Sequence, residues 1–251
     1  MATEQTRFIL RQAAGSHPGR RRSNNEDSVY ATGRLLAVAD GIGGQPHGEV
    51  ASATAVEVLA SLDAELRALD LSAQDLSAVL AGAVQRVGAR LAKVAEQNPA
   101  THGMGTTLTV LLFDGTHFAA AHVGDSRGYV LRAGELRRIT RDHTLVQALV
   151  EDGRITEEDA VDHPRRSLLM KALQSTGCAE PDVWEFTPEP GDRYLLCSDG
   201  LTAGAPEPAI RDVLASGTPE ETVANLITLA NDGGGPDNIT IVVADVVQAF
   251  D

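Results

Sequence analysis

Between residues 107 and 139 four short β-like runs follow one another with little between them. Thr107–Phe113, His117–Val123, Gly128–Arg132 and Leu136–Ile139 are separated by Asp114-Gly115, Gly124-Asp125 and Ala133-Gly134. Dipeptides of this kind between β-like runs are hairpin signals, so the stretch reads as an antiparallel meander. Two long helical blocks precede it. Gly48–Leu69 carries Val50, Thr54, Val58 and Leu62 at helical spacing, and Leu71–Asn98 is a second helix with Ser72 as its expected cap. Asn98-Pro99 ends that helix. Upstream, Thr6–Ala14 reads as a strand, and Ser28–Ala31 with Leu35–Ala39 as a hairpin turning at Thr32-Gly33. Downstream, residues 142–166 are polar with short helical pieces and read as a flap. Ser167–Leu173, Val183–Thr187 and Arg193–Cys197 return to strand, Pro208–Ala215 and Pro219–Asn231 are helices, and Asn238–Val247 is a final strand. Strands and helices do not alternate one for one, which argues against a doubly wound parallel sheet. The expected class is α+β, with antiparallel sheets and helices packed outside. With no repeat or linker, one domain over residues 4–248 is expected, the flap lying at about 142–166.

The chain has 251 residues, ample for a core, and only 4% aromatics, so Ala, Val and Leu must fill the interior. Its net charge of -14 makes nucleic acid or an anionic membrane a poor partner. That charge reads either as solubility or as acids crowded where cations neutralise them, and composition does not separate the two. Cys178 and Cys197 lack the spacing of a zinc site or a disulfide framework. Such usage fits a reducing compartment, and with no long apolar run near the start a cytoplasmic location is expected.

The informative pattern is where the acids lie. Leu36-Ala37-Val38-Ala39-Asp40-Gly41 is an apolar run ending in Asp-Gly, and Tyr194-Leu195-Leu196-Cys197-Ser198-Asp199-Gly200 repeats the arrangement. His122-Val123-Gly124-Asp125 ends a third run. Asp237 and Asn238 begin the last strand, and Glu26 and Asp27 an early one. Any one of them alone reads as a turn residue. Together they place carboxylates at strand ends, which cluster at one edge of packed sheets and repel unless a cation holds them. Oxygen ligands without a Cys or His set favour hard ions such as Mg²⁺ or Mn²⁺. Two such ions activate water and neutralise an anionic substrate, as phosphate ester hydrolysis requires. Arg20, Arg21 and Arg22 could orient a phosphate with a bidentate fork, although charge alone favours a solvated basic loop.

These residues also resemble a family. Arg22-Ser23-Asn24-Asn25-Glu26-Asp27 is similar to the R-x-x-N-E-D opening of type 2C protein phosphatases, and Asp40-Gly41-Ile42-Gly43-Gly44 to their D-G-x-G-G motif. Gly105-Thr106-Thr107, Gly124-Asp125-Ser126-Arg127, Ser198-Asp199-Gly200 and Gly235-Pro236-Asp237-Asn238 resemble the later motifs, in family order across nearly the whole chain. The resemblance implies a central sandwich of two antiparallel β-sheets flanked by helices on both sides. It implies hydrolysis of phosphoserine and phosphothreonine on proteins by a metal-bridging hydroxide, with two or three Mn²⁺ or Mg²⁺ ions, in a bacterial stand-alone catalytic domain opposing Ser/Thr kinases. By position, Asp40 bridges two metals, the Gly41 carbonyl binds one, and Asp199 and Asp237 bind the other. Glu26 and Asp27 hold metal-bound waters, and Arg22 binds the substrate phosphate. Asp125 with Asp199 forms a third site, joined by a carbonyl near Ser167. Asn238 fixes the last strand and the Asp237 carboxylate. Arg22, Asp40 and Asp199 are the catalytic set.

Thr106 and Thr107 fit strand packing, and Ser126, with no partner base, reads as turn chemistry. Ile42 stands where many eukaryotic members carry a histidine proposed as general acid; His47, His143 and His163 are candidates by type only. The expected partners are phosphorylated protein substrates, and the chain itself is expected to be a monomer. The alternatives are a non-catalytic sensor or partner-switching module on the same fold, and a phosphatase for small phosphate esters or phosphohistidine.

Overall fold

The computed structural model describes residues 7–42 and 47–249. Residues 4–6, where the domain and its first strand are expected to start, lie outside them, as do Gly43 and Gly44. The chain runs through β1 (Phe8–His17), β2 (Asp27–Ala31), β3 (Leu35–Asp40), α1 (Gly48–Leu66), α2 (Leu76–Gln97), β4 (Gly105–Thr106), β5 (Leu108–Phe113), β6 (Phe118–Val123), β7 (Arg127–Arg132) and β8 (Glu135–Arg138). It continues with α3 (Leu145–Glu151), α4 (Glu157–Val161), β9 (Leu173–Gln174), β10 (Gly177–Cys178), β11 (Asp182–Phe186), β12 (Arg193–Cys197), α5 (Asp199–Gly204), α6 (Glu207–Leu214), α7 (Pro219–Asp232) and β13 (Ile239–Gln248).

Two five-stranded antiparallel sheets form, in the orders β1-β13-β12-β7-β8 and β11-β6-β5-β3-β2, with a small sheet β10-β9-β4 beside them. Their strands are apolar along most of their length because both faces are covered. In β3, Leu36 and Val38 join Val130, Leu196 and Val242 in the core between the sheets. Leu35, Ala37 and Ala39 of the same strand pack with Leu59, Leu80 and Leu91 of α1 and α2. On the far side, Leu195, Cys197, Ile241 and Val243 pack under Ile210, Leu214 and Leu226 of α6 and α7. The layers are therefore helices, sheet, sheet, helices, the expected α+β class. Among the described residues no helix is long and apolar enough to cross a membrane.

Three local expectations are corrected. Ser72 does not cap the second helix. It sits in a single 3-10 turn, Leu71–Ala73, and Asp75 caps α2 by accepting from the Ala78 amide. The buried register of that helix, Leu76, Leu80, Val84, Val87 and Leu91, begins only at Leu76. The four β-like runs are two hairpins, not one meander. Asp114-Gly115 and Ala133-Gly134 are turns, whereas Gly124, at φ 113°, carries the chain from one sheet to the other. β11 and β12 take the edges that a β6–β7 hairpin would have used. Finally, Ser167–Leu173 is not a strand of either main sheet. Only Leu173 pairs regularly, and Leu169 instead bridges to Thr144 at the base of the flap. The flap helices α3 and α4 contain no buried residue.

Candidate metal centre

The acids converge because the strand register brings them together. Asp27 opens β2 directly opposite Asp40, which closes β3. The Asp40 amide donates to Thr107 Oγ1 at 3.0 Å, while the Thr107 amide and Thr106 Oγ1 both donate to the Asp40 carbonyl. Thr107, read from sequence as packing, is thus a backbone anchor of Asp40. Gly41 is enclosed: a Cβ there would meet the Gly48 carbonyl at 2.5 Å and the Glu26 carbonyl at 2.6 Å. No side chain fits, so a D-G pair is required at this corner rather than merely allowed.

The other acids arrive from the second sheet. Asp199 follows β12 and starts α5; Asp237 precedes β13. Gly200 lets α5 approach β13, since a Cβ there would lie 2.0 Å from the Asn238 carbonyl. Asn238 ties three segments: its Oδ1 accepts from the Glu26 amide at 2.9 Å, and its Nδ2 donates to the Pro18 and Asn24 carbonyls. Its own amide donates to Asp237 Oδ1 at 2.9 Å.

A cavity of about 180 Å³ is lined by Arg22, Glu26, Asp40, Gly41, Ile42, Asp125, Ser167, Asp199, Asp237 and Asn238 among others. Every residue of the expected site lines it except Asp27, which lies behind Asp40. It opens into a cleft of about 1130 Å³ between the flap and α5, which shares Arg22, Asp125, Ser167, Asp199 and Asp237. Among the described residues no histidine lines either space. His47 is exposed and paired with Glu49 at 3.2 Å, His163 Nδ1 accepts from the Arg165 amide, and His143 is buried.

The electrostatics are those of acids short of positive charge. Burial, then the Asp27, Asp199 and Asp125 carboxylates, push Asp40 well above the usual carboxylate range. Burial and then Asp125 and Asp237 push Asp199 up to about 8, and burial and then Asp142 push Asp125 up to about 6. Burial also raises Asp27, although Ser198 Oγ donates to its Oδ2 at 2.7 Å. The other oxygen, Asp27 Oδ1, is buried without a hydrogen-bond partner. Carboxyls buried near one another need a proton or a cation, so the oxygen-only donor set fits hard divalent ions. Among the described residues no three His, Cys, Asp or Glu side chains already surround one point closely enough to hold an ion. Asp237 Oδ2 is instead held by Arg22 at 2.7 Å, and that hydrogen bond raises the Arg22 pKa.

Ser198 was missed in the sequence, where it stands only as the residue before Asp199-Gly200. Its hydroxyl makes no cap bond; it accepts from the Thr240 amide at 2.9 Å and donates to Asp27. Ser198→Ala strands that buried amide and both Asp27 oxygens, so an unfolding titration should show a loss of about 1–3 kcal/mol. Ser126 is buried, its hydroxyl 2.8 Å from Thr107 Oγ1.

An acidic, oxygen-lined cavity with an arginine at its mouth, set at one edge of two helix-covered sheets, suits metal-assisted phosphoryl chemistry. Residues 14–227 match the protein phosphatase 2C family, and the chain belongs to it. It is 50% identical over 241 residues to the serine/threonine protein phosphatase PstP of Mycobacterium tuberculosis, a match covering 96% of this chain and 46% of that one. The chain thus spans about half the length of that relative. It is 40% identical over 233 residues to the serine/threonine phosphatase stp of Listeria welshimeri, covering 90% of this chain and 92% of that one. The solved catalytic domain of PstP in complex with two manganese ions superposes with a TM-score of 0.87 at 48% identity, over 96% of this chain and 99% of that one.

Proposed function

We propose that this chain hydrolyses phosphoserine and phosphothreonine on proteins with the help of divalent metal ions, reversing the work of Ser/Thr kinases. The observation that carries the reading is the gathering of Asp40, Asp125, Asp199 and Asp237 on one small cavity, with Asp27 opposite Asp40 in the strand register. The manganese complex of PstP and the phosphatase names of the relatives support it.

Asp40, the Gly41 carbonyl, Asp199 and Asp237 are the residues that would hold two ions, with Glu26 and Asp27 reaching them through water. Asp125 and the backbone at Ser167 would hold a third. When bound, Mn²⁺ or Mg²⁺ supplies an activated water and the positive charge that neutralises a phosphoryl group. The protein's own part is positional. Thr106, Thr107 and the enclosed Gly41 fix Asp40, and Asn238 fixes the Glu26 loop against the last strand. Arg22, half-exposed where the cavity meets the cleft and paired with Asp237 Oδ2 through Nη2, would bind the substrate phosphate. With Ile42 at the cavity wall and no histidine lining it among the described residues, water would be the donor of a leaving-group proton. The cleft of about 1130 Å³ beside the flap is where the peptide on either side of the phosphorylated residue would lie.

The test is phosphate release from a phosphothreonine peptide. Release with Mn²⁺ and its loss in EDTA are expected; no release with any divalent ion would leave the sensor reading. Arg22→Ala should lower kcat/KM by roughly 10- to 100-fold, the worth of a charge-assisted pair. An unchanged value would remove Arg22 from the phosphate site.

A further inference from the structure

We propose that His143, buried under the flap, is a positioning residue: it sets the Asp125 turn against the flap base and so governs how tightly the third ion is held. The inference rests on the reading of Asp125 and the Ser167 backbone as that ion's ligands.

His143 grips Gly124, the residue before Asp125, at both backbone polar atoms. The His143 amide donates to the Gly124 carbonyl at 2.7 Å, and the Gly124 amide donates to His143 Nδ1 at 3.1 Å. With Nδ1 accepting, the ring proton is on Nε2, which donates to Asp182 Oδ2 at 3.1 Å. Lys171 holds the other Asp182 oxygen at 2.8 Å. Burial lowers the His143 pKa, which keeps Nδ1 free to accept. The preceding residue, Asp142, holds Arg127 through Nε and Nη2 at 3.1 and 2.8 Å. The pair Asp142-His143 therefore brackets Asp125 from both sides, one contact just before it and one two residues after.

The same segment ties down the chain that returns from the flap. The Met170 amide donates to the His143 carbonyl at 2.8 Å, and the Leu145 amide donates to the Leu168 carbonyl at 2.9 Å. Ser167 is the next residue, and it lines the small cavity together with Asp125. Asp125 and Ser167 thus come from two segments that both hang on His143 and its neighbours. His122 completes the support, its ring 4.9 Å from that of His143 and its Nε2 donating to the Arg141 carbonyl at 3.0 Å. His143 is 6% exposed and lines neither cavity, so it acts through other residues and not as a proton donor. Groups that orient metal ligands from behind commonly set affinity by 10- to 100-fold.

The test is Mn²⁺ binding followed by the electron paramagnetic resonance of free Mn²⁺, on the full chain. Asp125→Asn identifies the ion in question as the one it loses. His143→Ala should weaken that same ion roughly 10- to 100-fold and leave the tighter ions unchanged. His143→Asn, whose Oδ1 takes the place of Nδ1 as acceptor for the Gly124 amide, should recover most of the loss. If His143→Ala does not fold, Asp182→Ala frees Nε2 from a half-exposed position and should weaken the ion by about 10-fold. Wild-type affinity for that ion in the folded His143 or Asp182 variants overturns the proposal. An unchanged ion count in Asp125→Asn overturns the ligand reading itself, and the proposal with it.

Discussion

Asp40→Asn and Asp199→Asn are each expected to reduce metal-dependent turnover by about 10³-fold or more while making the metal-free protein more stable. The activity loss is expected because each change removes a carboxylate charge that would hold ions worth several kcal/mol in the transition state. The stability gain follows from the same crowding. Asp40 is pushed well above the ordinary carboxylate range and Asp199 up to about 8 by burial and by neighbouring carboxylates. An amide carries no charge to bury, and at position 40 it can donate to the unpartnered Asp27 Oδ1. Thermal melts in EDTA should show each variant above the wild type, at roughly 2–4 °C per kcal/mol for a chain of this size. A functional site that costs its fold stability has this signature. Variants equally inactive but less stable than the wild type in EDTA would mean that the carboxylates are structural partners and not ligands kept in readiness. Wild-type turnover in Asp199→Asn would remove it from the metal set.

Adding Mn²⁺ or Mg²⁺ to the metal-free chain should raise its melting temperature, and the rise should grow with pH. At a free ion concentration 100-fold above the dissociation constant, one site contributes about 2.7 kcal/mol, or roughly 5–11 °C. The pH dependence follows from the raised carboxyls. Asp125 at about 6 and Asp199 at about 8 hold their protons more tightly in the folded chain than in the unfolded one. The unfolded chain releases those protons near pH 4. The cluster's contribution to metal-free stability is therefore full below about pH 4 and is lost as pH rises through about 6 and about 8. Metal held by the deprotonated carboxylates would reverse that loss. Paired melts with and without Mn²⁺ at pH 5.5 and pH 8 check both signs. A metal effect that is flat or larger at the lower pH would contradict the assignment of Asp125 and Asp199.

Much of this was legible in the chain because the governing physics is local. The turns at Asp114-Gly115 and Ala133-Gly134, and the burial of β3 on both faces, follow from dipeptides and apolar runs that mean the same thing in most contexts. The acids at the strand ends were legible for a related reason: an apolar strand closing in Asp-Gly marks a sheet edge, and both main sheets bring such edges to one cavity. Gly124-Asp125 misled because its meaning depends on pairing far away. Nothing between residues 118 and 132 states that β11 and β12 will claim the edges of β6 and β7. Ser198 and His143 were hidden for a similar reason. Ser198 serves Asp27, 171 positions earlier. His143 serves Gly124 through contacts that exist only once the two sheets have packed. Ser72 shows the opposite failure: a good cap residue lost to Asp75 because the buried stripe of α2 starts later.

The central claim is that these acids meet around divalent ions. Anomalous diffraction from a Mn²⁺-soaked crystal tests it most directly. Manganese peaks ligated by Asp40, Asp199 and Asp237, with Arg22 withdrawn from Asp237, are the expected result. A fully loaded crystal whose only manganese lies away from these carboxylates, with the Arg22–Asp237 pair intact, would contradict it.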